Sequence, residues 1–505
     1  VGSGFGGSLL AMIARRLGLS VALLERGRHP RFAIGESSTP LANLLLEELA
    51  RRYELPRLLP LTKWGSWQSA YPEIGCGLKR GFSFYHHERD RPFTARPDRS
   101  DQLLVAASPH DAISDMHWYR ADVDHFFVRE AQALGAAYLD EVALDRFTPG
   151  EEHELEGTRG GQRIAVRARF VVDATGPRGF LHRALRLPEA PFPDLPATEG
   201  LYAHFRGVRR LEDLLPAGET PPYPVDDAAL HHVFDGGWIW VLRFGNGITS
   251  AGAAVTEGLA RELDLAEGEP AWRRLLARLP TVAEQFADAE PVTPFVHQRP
   301  LSFRSGRFTG ERWAMLPSAA GFVDPLLSTG FPLTLLGVSR LAEILERGED
   351  GVEERLRAYE IKTGEELSAA ARLVGALYAN MSDFRRFAPL SLLYFAAASF
   401  AESARRLGRP ELAGSFLMND HPWFGPRLRA CCEWALSGED LIEPVHRAIE
   451  PIDVAGLGDR RRQSWYPVDA ADLLRAAGKL EATPAEIEEL LARSGFYPVD
   501  PVAGR

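Results

Sequence analysis

Gly2-Ser3-Gly4-Phe5-Gly6-Gly7, then helix formers over residues 8–17, Gly18, and Val21-Ala22-Leu23-Leu24-Glu25 form the stretch that decides the fold. The glycines at 2, 4 and 7 fit G-x-G-x-x-G. Gly18 stops the helical run, and residues 21–25 read as a buried strand ending in an acid. Glu25 lies 23 residues after Gly2, the spacing of a carboxylate that meets a ribose hydroxyl. Glycines let the backbone approach a pyrophosphate, and a helix N-terminus favours its negative charge. The glycine pattern alone is weak; with helix, strand and acid in register it predicts a dinucleotide-binding unit. Only Val1 stands where the strand before the glycines is expected. A sheet without that strand would leave ladder hydrogen bonds unmet on its neighbours.

The rest of the chain is that of a large folded enzyme. It has 505 residues, 45% of them hydrophobic and 25% charged, enough for two or three domains and a sizeable core. The net charge of −11, with no long basic block, argues against nucleic acid. No secretory signal and no bilayer-length apolar run is read, so no membrane role and a cytoplasmic location are expected. Cys76, Cys431 and Cys432 have no metal-binding spacing, which fits a reducing compartment. His86-His87 and His231-His232 are adjacent within strand-like segments, so each pair points to opposite faces and no metal site is expected. Only four lysines occur (Lys63, Lys79, Lys362 and Lys479), so each is a position of interest.

Further elements complete the layout. Arg169-Phe170-Val171-Val172-Asp173-Ala174-Thr175-Gly176 is an apolar strand running into a turn. Residues 314–324 follow another turn, and Gly330 leads into an amphipathic run over 333–345. Trp238 to Phe244, Gly245-Asn246-Gly247 and residues 248–255 predict a hairpin with Trp238 and Trp240 on one face. From Glu353 onward the pattern is helical, with no strand expected. The fold class is α/β. A Rossmann-like domain is assembled from residues 1–75, 108–180 and 300–350, with an inserted mixed β-sheet substrate domain at 76–107 and 181–299. A helical C-terminal region covers 351–505. No second glycine fingerprint follows a strand, so no nicotinamide domain is expected.

Taken together, the Gly2 fingerprint, Asp173-Ala174-Thr175-Gly176 and Ala320-Gly321-Phe322-Val323-Asp324-Pro325 resemble the FAD-binding fold of single-component aromatic hydroxylases. Within that group three features are similar to flavin-dependent halogenases. Gly35-Glu36-Ser37-Ser38-Thr39-Pro40 resembles a segment beside the flavin. Phe322-x-x-Pro325-x-x-Ser328-x-Gly330 matches a signature of the family. Gly77-Leu78-Lys79-Arg80-Gly81-Phe82-Ser83-Phe84 resembles the strand bearing its active-site lysine. The resemblance implies FAD, used as FADH2, bound by Gly2, Gly4, Gly7 and Glu25, by Glu36, Ser37, Ser38 and Arg120, and by Asp173, Gly176 and Ser318. It implies halide (chloride or bromide) at Ser328, Thr329 and Gly330. It also implies a separate flavin reductase as partner, and Lys79 as the group that relays hypohalous acid to an electron-rich aromatic substrate.

Burial of a lysine disfavours its ammonium and makes it a better nucleophile; the alternative is an outward-facing lysine on a half-buried strand. Trp238 and Trp240 resemble a Trp-x-Trp motif that shields substrate from flavin, while an aromatic core pair is the other reading. Ser318 stands where the family has an Asp on the flavin's ribityl chain, so weaker FAD retention is expected. Leu327 replaces the Glu of tryptophan halogenases, which points to phenols or pyrroles, free or carrier-tethered. Two alternatives stay open: an FAD-dependent monooxygenase or isoprenoid-type reductase on the same fold, and a non-catalytic flavoprotein.

Overall fold

A computed structural model describes residues 1–216 and 218–497; residues 498–505, the end of the expected helical region, lie outside the described residues. α1 (Phe5–Arg16) begins inside the glycine run, and β1 (Ala22–Leu24) follows it. Val1 and Gly2 lie between β1 and the strand Val171–Asp173. Gly2 N donates to Leu24 O, Val1 N to Val172 O, and Ala174 N to Val1 O, each at 2.7 Å. These two residues therefore occupy the central position of a parallel arrangement in which Val171–Asp173 also pairs with Trp313–Met315.

The segment around Lys79 departs from the single strand expected over 77–84. It is two strands in two sheets. β2 (Cys76–Lys79) and β3 (Gly81–His87) are separated by Arg80. β3 lies in a nine-stranded mixed sheet, antiparallel to β4 (Gln102–Ala106) and parallel to Ala229–Phe234. β2 pairs only with β5 (Asp115–Trp118), antiparallel, with Lys79 opposite Asp115. The break is set by backbone contacts that alternation cannot show. Arg80 N donates to Asp227 O, and Arg80 O accepts from Ala107 N. A Cβ at Gly77 would fall 1.7 Å from Arg243 O, and one at Gly81 2.2 Å from Val105 O. Close backbone approach on both sides of Arg80 thus demands glycine. The expected boundary between residues 107 and 108 consequently cuts through the β2–β5 ladder. β6 (Ala137–Leu139) pairs in parallel with β1 and returns the chain to the dinucleotide sheet.

The hairpin forms as expected, Gly237–Arg243 against Thr249–Thr256, inside the nine-stranded sheet. Its period of two sorts side chains to two cores. Trp238 and Trp240 join Phe82 and Phe84 on one face, while Ile239, Val241 and Tyr85 face Trp272 and Phe286 on the other. The first face is covered by the C-terminal helices, Val352–Tyr378 and Phe384–Arg406. The second of these is long and apolar enough to cross a membrane, yet 72% of its most apolar window is buried inside the molecule. Its Phe387, Tyr394 and Phe395 pack on Phe82 and Phe84, so it is a core helix here. The region after residue 351 is not wholly helical. Trp465–Tyr466 adds in parallel to β4 at the sheet edge, an element too short to leave a periodic signal.

Candidate functional site

Three pieces of the site come from the dinucleotide unit. The glycines pack against the Asp173–Gly176 turn: a Cβ at Gly2, where φ is +91°, would lie 2.6 Å from the Ala174 carbonyl, and one at Gly7 2.1 Å from Gly2 O. Glu25 is buried and accepts from Ser3 N (3.0 Å), Ser3 Oγ (2.8 Å) and Gly27 N (2.8 Å), with Arg31 at 3.4 Å. Burial pushes its carboxyl up. Arg31 and the hydrogen bonds outweigh that and hold it at about 2, so the acid is ionised and oriented. Arg120 makes a double hydrogen bond to Asp124 (2.9 and 2.8 Å) and donates to Ile34 O and Gly35 O, which ties the Gly35 segment to the glycine turn. The Asp173 carboxylate accepts from Thr175 N, Thr175 Oγ1 and Leu181 N. Asp173 is therefore consumed in shaping its own turn.

The Ser328 turn carries backbone strain. Leu327 and Ser328 have φ of 64° and 54°, consecutive left-handed residues that are not glycine, at a cost of order 1–2 kcal/mol each. Such strain persists where surroundings enforce it, commonly at binding sites. The turn feeds the helix Gly330–Glu346, whose first turn has no side-chain cap, leaving N–H groups for an anion. A Cβ at Gly330 would meet no protein atom within 4 Å, and its φ is not in the left-handed region. Neither crowding nor conformation requires glycine there, and the position is exposed. Glu36 adds a buried oxygen, Oε2, without a partner among the described residues, while its Oε1 accepts from His204 Nε2 at 2.7 Å. These features fit a flavin beside the Gly35 and Ser328 turns. Ser318 is half-buried on the short helix Pro317–Ala320, and its hydroxyl makes no hydrogen bond among the described residues.

Lys79 is fully buried. Its Nζ donates to Ser37 Oγ (2.8 Å) and Ser38 O (2.5 Å) and sits 3.9 Å from the Phe82 ring centroid. Ser37 and Ser38, expected on the cofactor, thus spend polar atoms on the lysine, and Ser38 Oγ donates to Met116 O on β5. The Gly35–Pro40 segment, expected beside the flavin, is the one that holds the Lys79 side chain. Burial lowers the Lys79 pKa, against the pull of Asp115. Burial also pushes the neighbouring imidazoles of His117 and His231 down to about 3.

A cavity of ≈ 220 Å³ is lined among others by Phe82, Asp115, Tyr394, Phe395, Leu491 and Phe496; Lys79 is not on its wall but adjoins it through Phe82, which its Nζ faces, and Asp115, its partner in register. Sequence reasoning missed Asp115, and also the contribution of the C-terminal helices to this wall. An acid opening the short 115–118 strand, ahead of Met116 and Trp118, was the available signal. Lys63, outside the lysine motif, lines the same cavity and donates to Ser494 O at 2.9 Å. Trp238 and Trp240 are buried with ring centroids 5.6 Å apart. Trp238 Nε1 donates to the Tyr378 hydroxyl (3.2 Å), which donates to Asp324 Oδ2 (2.9 Å). The tryptophan strand and the Phe322–Gly330 motif are joined through that chain. One histidine of each doublet meets across the sheet, His87 Nε2 to His232 Nδ1 at 2.9 Å, a contact the within-pair argument did not anticipate.

The fold and the glycine turns define a dinucleotide-binding flavoprotein of α/β class. Residues 112–384, more than half of the chain, match the tryptophan halogenase family. The chain belongs to that family, the flavin-dependent halogenases, and is an FAD-dependent enzyme. It is 29% identical over 441 residues to monodechloroaminopyrrolnitrin halogenase PrnC of Pseudomonas fluorescens, covering 84% of this chain and 76% of that protein. It is 30% identical over 348 residues to tetracycline 7-halogenase of Kitasatospora aureofaciens, covering 66% of this chain and 60% of that one. Among solved structures its fold is similar to halogenase PltM in complex with phloroglucinol and FAD, with TM-score 0.80 and 23% identity over 92% of this chain and 98% of that one.

Proposed function

We propose that this chain halogenates a free, electron-rich aromatic ring in the cavity beside Lys79, in the cytoplasm and with a separate reductase supplying reduced FAD. The single observation that carries the reading is the buried ammonium of Lys79, held by the same Ser37–Ser38 segment that borders the flavin position. Bound FAD, when reduced, supplies with oxygen and halide the oxidising equivalent of hypohalous acid. Gly2, Gly4 and Gly7 would let the backbone approach its pyrophosphate, Glu25 would meet its ribose, and Glu36 and Gly330 would lie toward its ring. The unspent amides at Thr329 and Gly330 favour a halide. Lys79 then holds or is halogenated by hypohalous acid, and the aromatic walls exclude water from it. Trp238 and Trp240 act from the core as a barrier between cavity and flavin. The C-terminal residues Leu491 and Phe496 on the cavity wall favour a free ring over one presented on a carrier.

The test supplies the enzyme with a flavin reductase, NADH, FAD, oxygen, bromide and electron-rich arenes, and follows products by mass spectrometry. Lys79→Ala is expected to oxidise reduced flavin at a near-normal rate while brominated product falls by roughly a hundredfold or more. Lys79→Arg fails too, because a guanidinium stays protonated. Lys362→Ala, at a surface lysine paired with Asp420, keeps full activity. Wild-type bromination by Lys79→Ala overturns the relay, and oxygenated rather than brominated product favours a monooxygenase.

A further inference from the structure

Asp115 has no role in the reading above, yet among the acids that line the cavity (Asp115, Glu402 and Asp469) it is the buried one. It stands opposite Lys79 in the β2–β5 register, and directly opposed residues share a face. The lysine nevertheless sends its ammonium to Ser37 and Ser38. Asn43 Nδ2, from α2 (Pro40–Arg52), donates to Asp115 Oδ1 at 2.7 Å, while Oδ2 has no partner among the described residues. The charged groups that line the cavity around it are already engaged: Arg406 is bound by Glu402 at 2.7 Å, and Lys63 by Ser494 O. Burial pushes the Asp115 carboxyl up to about 7 against the pull of Lys79, and a buried carboxyl oxygen with no partner is costly unless something supplies one.

We propose that Asp115 Oδ2 is the hydrogen-bond acceptor for a hydroxyl or N–H on the aromatic substrate, selecting rings that carry such a donor and taking its proton during halogenation. This rests on the halogenase reading. For a phenol, the ring carbon attacks the halogen of hypohalous acid held at Lys79. The carbon–halogen bond forms, the halogen–oxygen bond breaks, and the Lys79 ammonium protonates the leaving hydroxide to water. The phenolic proton passes to Asp115 as the ring becomes a dienone. Loss of the ring proton to the Lys79 amine and return of the Asp115 proton to oxygen restore the aromatic product and both side chains. The ring is oxidised by two electrons and the halogen is reduced by two, so a phenol and hypohalous acid give a halophenol and water.

The experiment compares resorcinol with 1,3-dimethoxybenzene, which keeps an electron-rich ring but has no donor. Asp115→Asn is expected to weaken resorcinol binding to the FAD-loaded enzyme without halide, and to slow its bromination, by about tenfold or more, the size of one hydrogen bond to a charged acceptor. The dimethoxy ring should change little, so the preference collapses. If both substrates lose bromination by one factor, Asp115 serves only as a counter-charge for Lys79 and the proposal is overturned; an unchanged preference overturns it as well. Should the variant not fold, equal Kd values of the two rings for the wild-type enzyme overturn it. A wild type that brominates neither ring sinks the halogenase reading instead, and the two binding constants still judge Asp115.

Discussion

Glu25 shows how a single side chain is tuned by what surrounds it. Its burial would favour the neutral acid, yet Arg31, two backbone amides and the Ser3 hydroxyl bring it to about 2 from its ordinary 4.5. Between those values the unfolded chain carries the proton and the folded chain does not. Stability from this group is therefore complete above pH 4.5 and lost as pH falls through 2, up to about 3 kcal/mol for such a shift. Glu25→Gln should destabilise the protein near neutrality, and the gap to wild type should narrow steadily from pH 5 downward. Urea unfolding at pH 5 and pH 4 checks it; a constant gap means the carboxylate is not stabilised as described. At the same scale, Lys79 was legible in the sequence because a lysine in an aromatic strand is conspicuous in a chain with four lysines. Asp115 was not, because its importance comes from a cross-strand partner 36 positions away.

Among elements, the turn and helix at residues 327–346 combine two opposite economies. Leu327 and Ser328 accept left-handed backbone without glycine, whereas Gly330 is glycine without needing to be. The turn is held in shape by its surroundings, and the helix start after it is exposed; the halide site proposed there predicts a cost of filling it. Gly330→Ala should leave the fold intact and add up to about 1 kcal/mol of stability, the gain of alanine over glycine in a helix. FAD affinity by fluorescence quenching, and product formation in halide, should both fall, and Gly330→Val, with its β-branch, should remove product altogether. A fully active Gly330→Val enzyme counts against the site. The break at Arg80 belongs to this scale too. One strand is expected over 77–84, but the close backbones of Arg243 and Val105 divide it and turn Lys79 into a different sheet.

For the molecule as a whole, the C-terminal helices are part of the working site and not an appendage. Tyr378 on one of them accepts from Trp238 in the inserted sheet and donates to Asp324 beside the Ser328 turn. Three regions far apart in sequence meet at one hydroxyl. Tyr378→Phe leaves a buried indole N–H and a buried carboxyl oxygen without partners, and should lower unfolding free energy by about 2–4 kcal/mol. Denaturant titration measures it, and a loss under about 0.5 kcal/mol would mean that the chain is not a structural tie.

What the amino-acid order determined by itself was local: the glycine turn with its helix, strand and terminal acid, and the 237–256 hairpin with both tryptophans on one face. Each is written within some 25 residues, where backbone period and steric demand act directly on neighbouring positions. Tertiary structure alone decided the rest. It split the lysine strand, placed Ser37 and Ser38 on Lys79, set Asp115 against the cavity and covered that cavity with residues near 490. These outcomes depend on which backbones approach within a few ångströms after the chain has crossed the sheet several times. A periodicity carries no information about such contacts, because the partner of each buried polar group is chosen by packing and not by spacing.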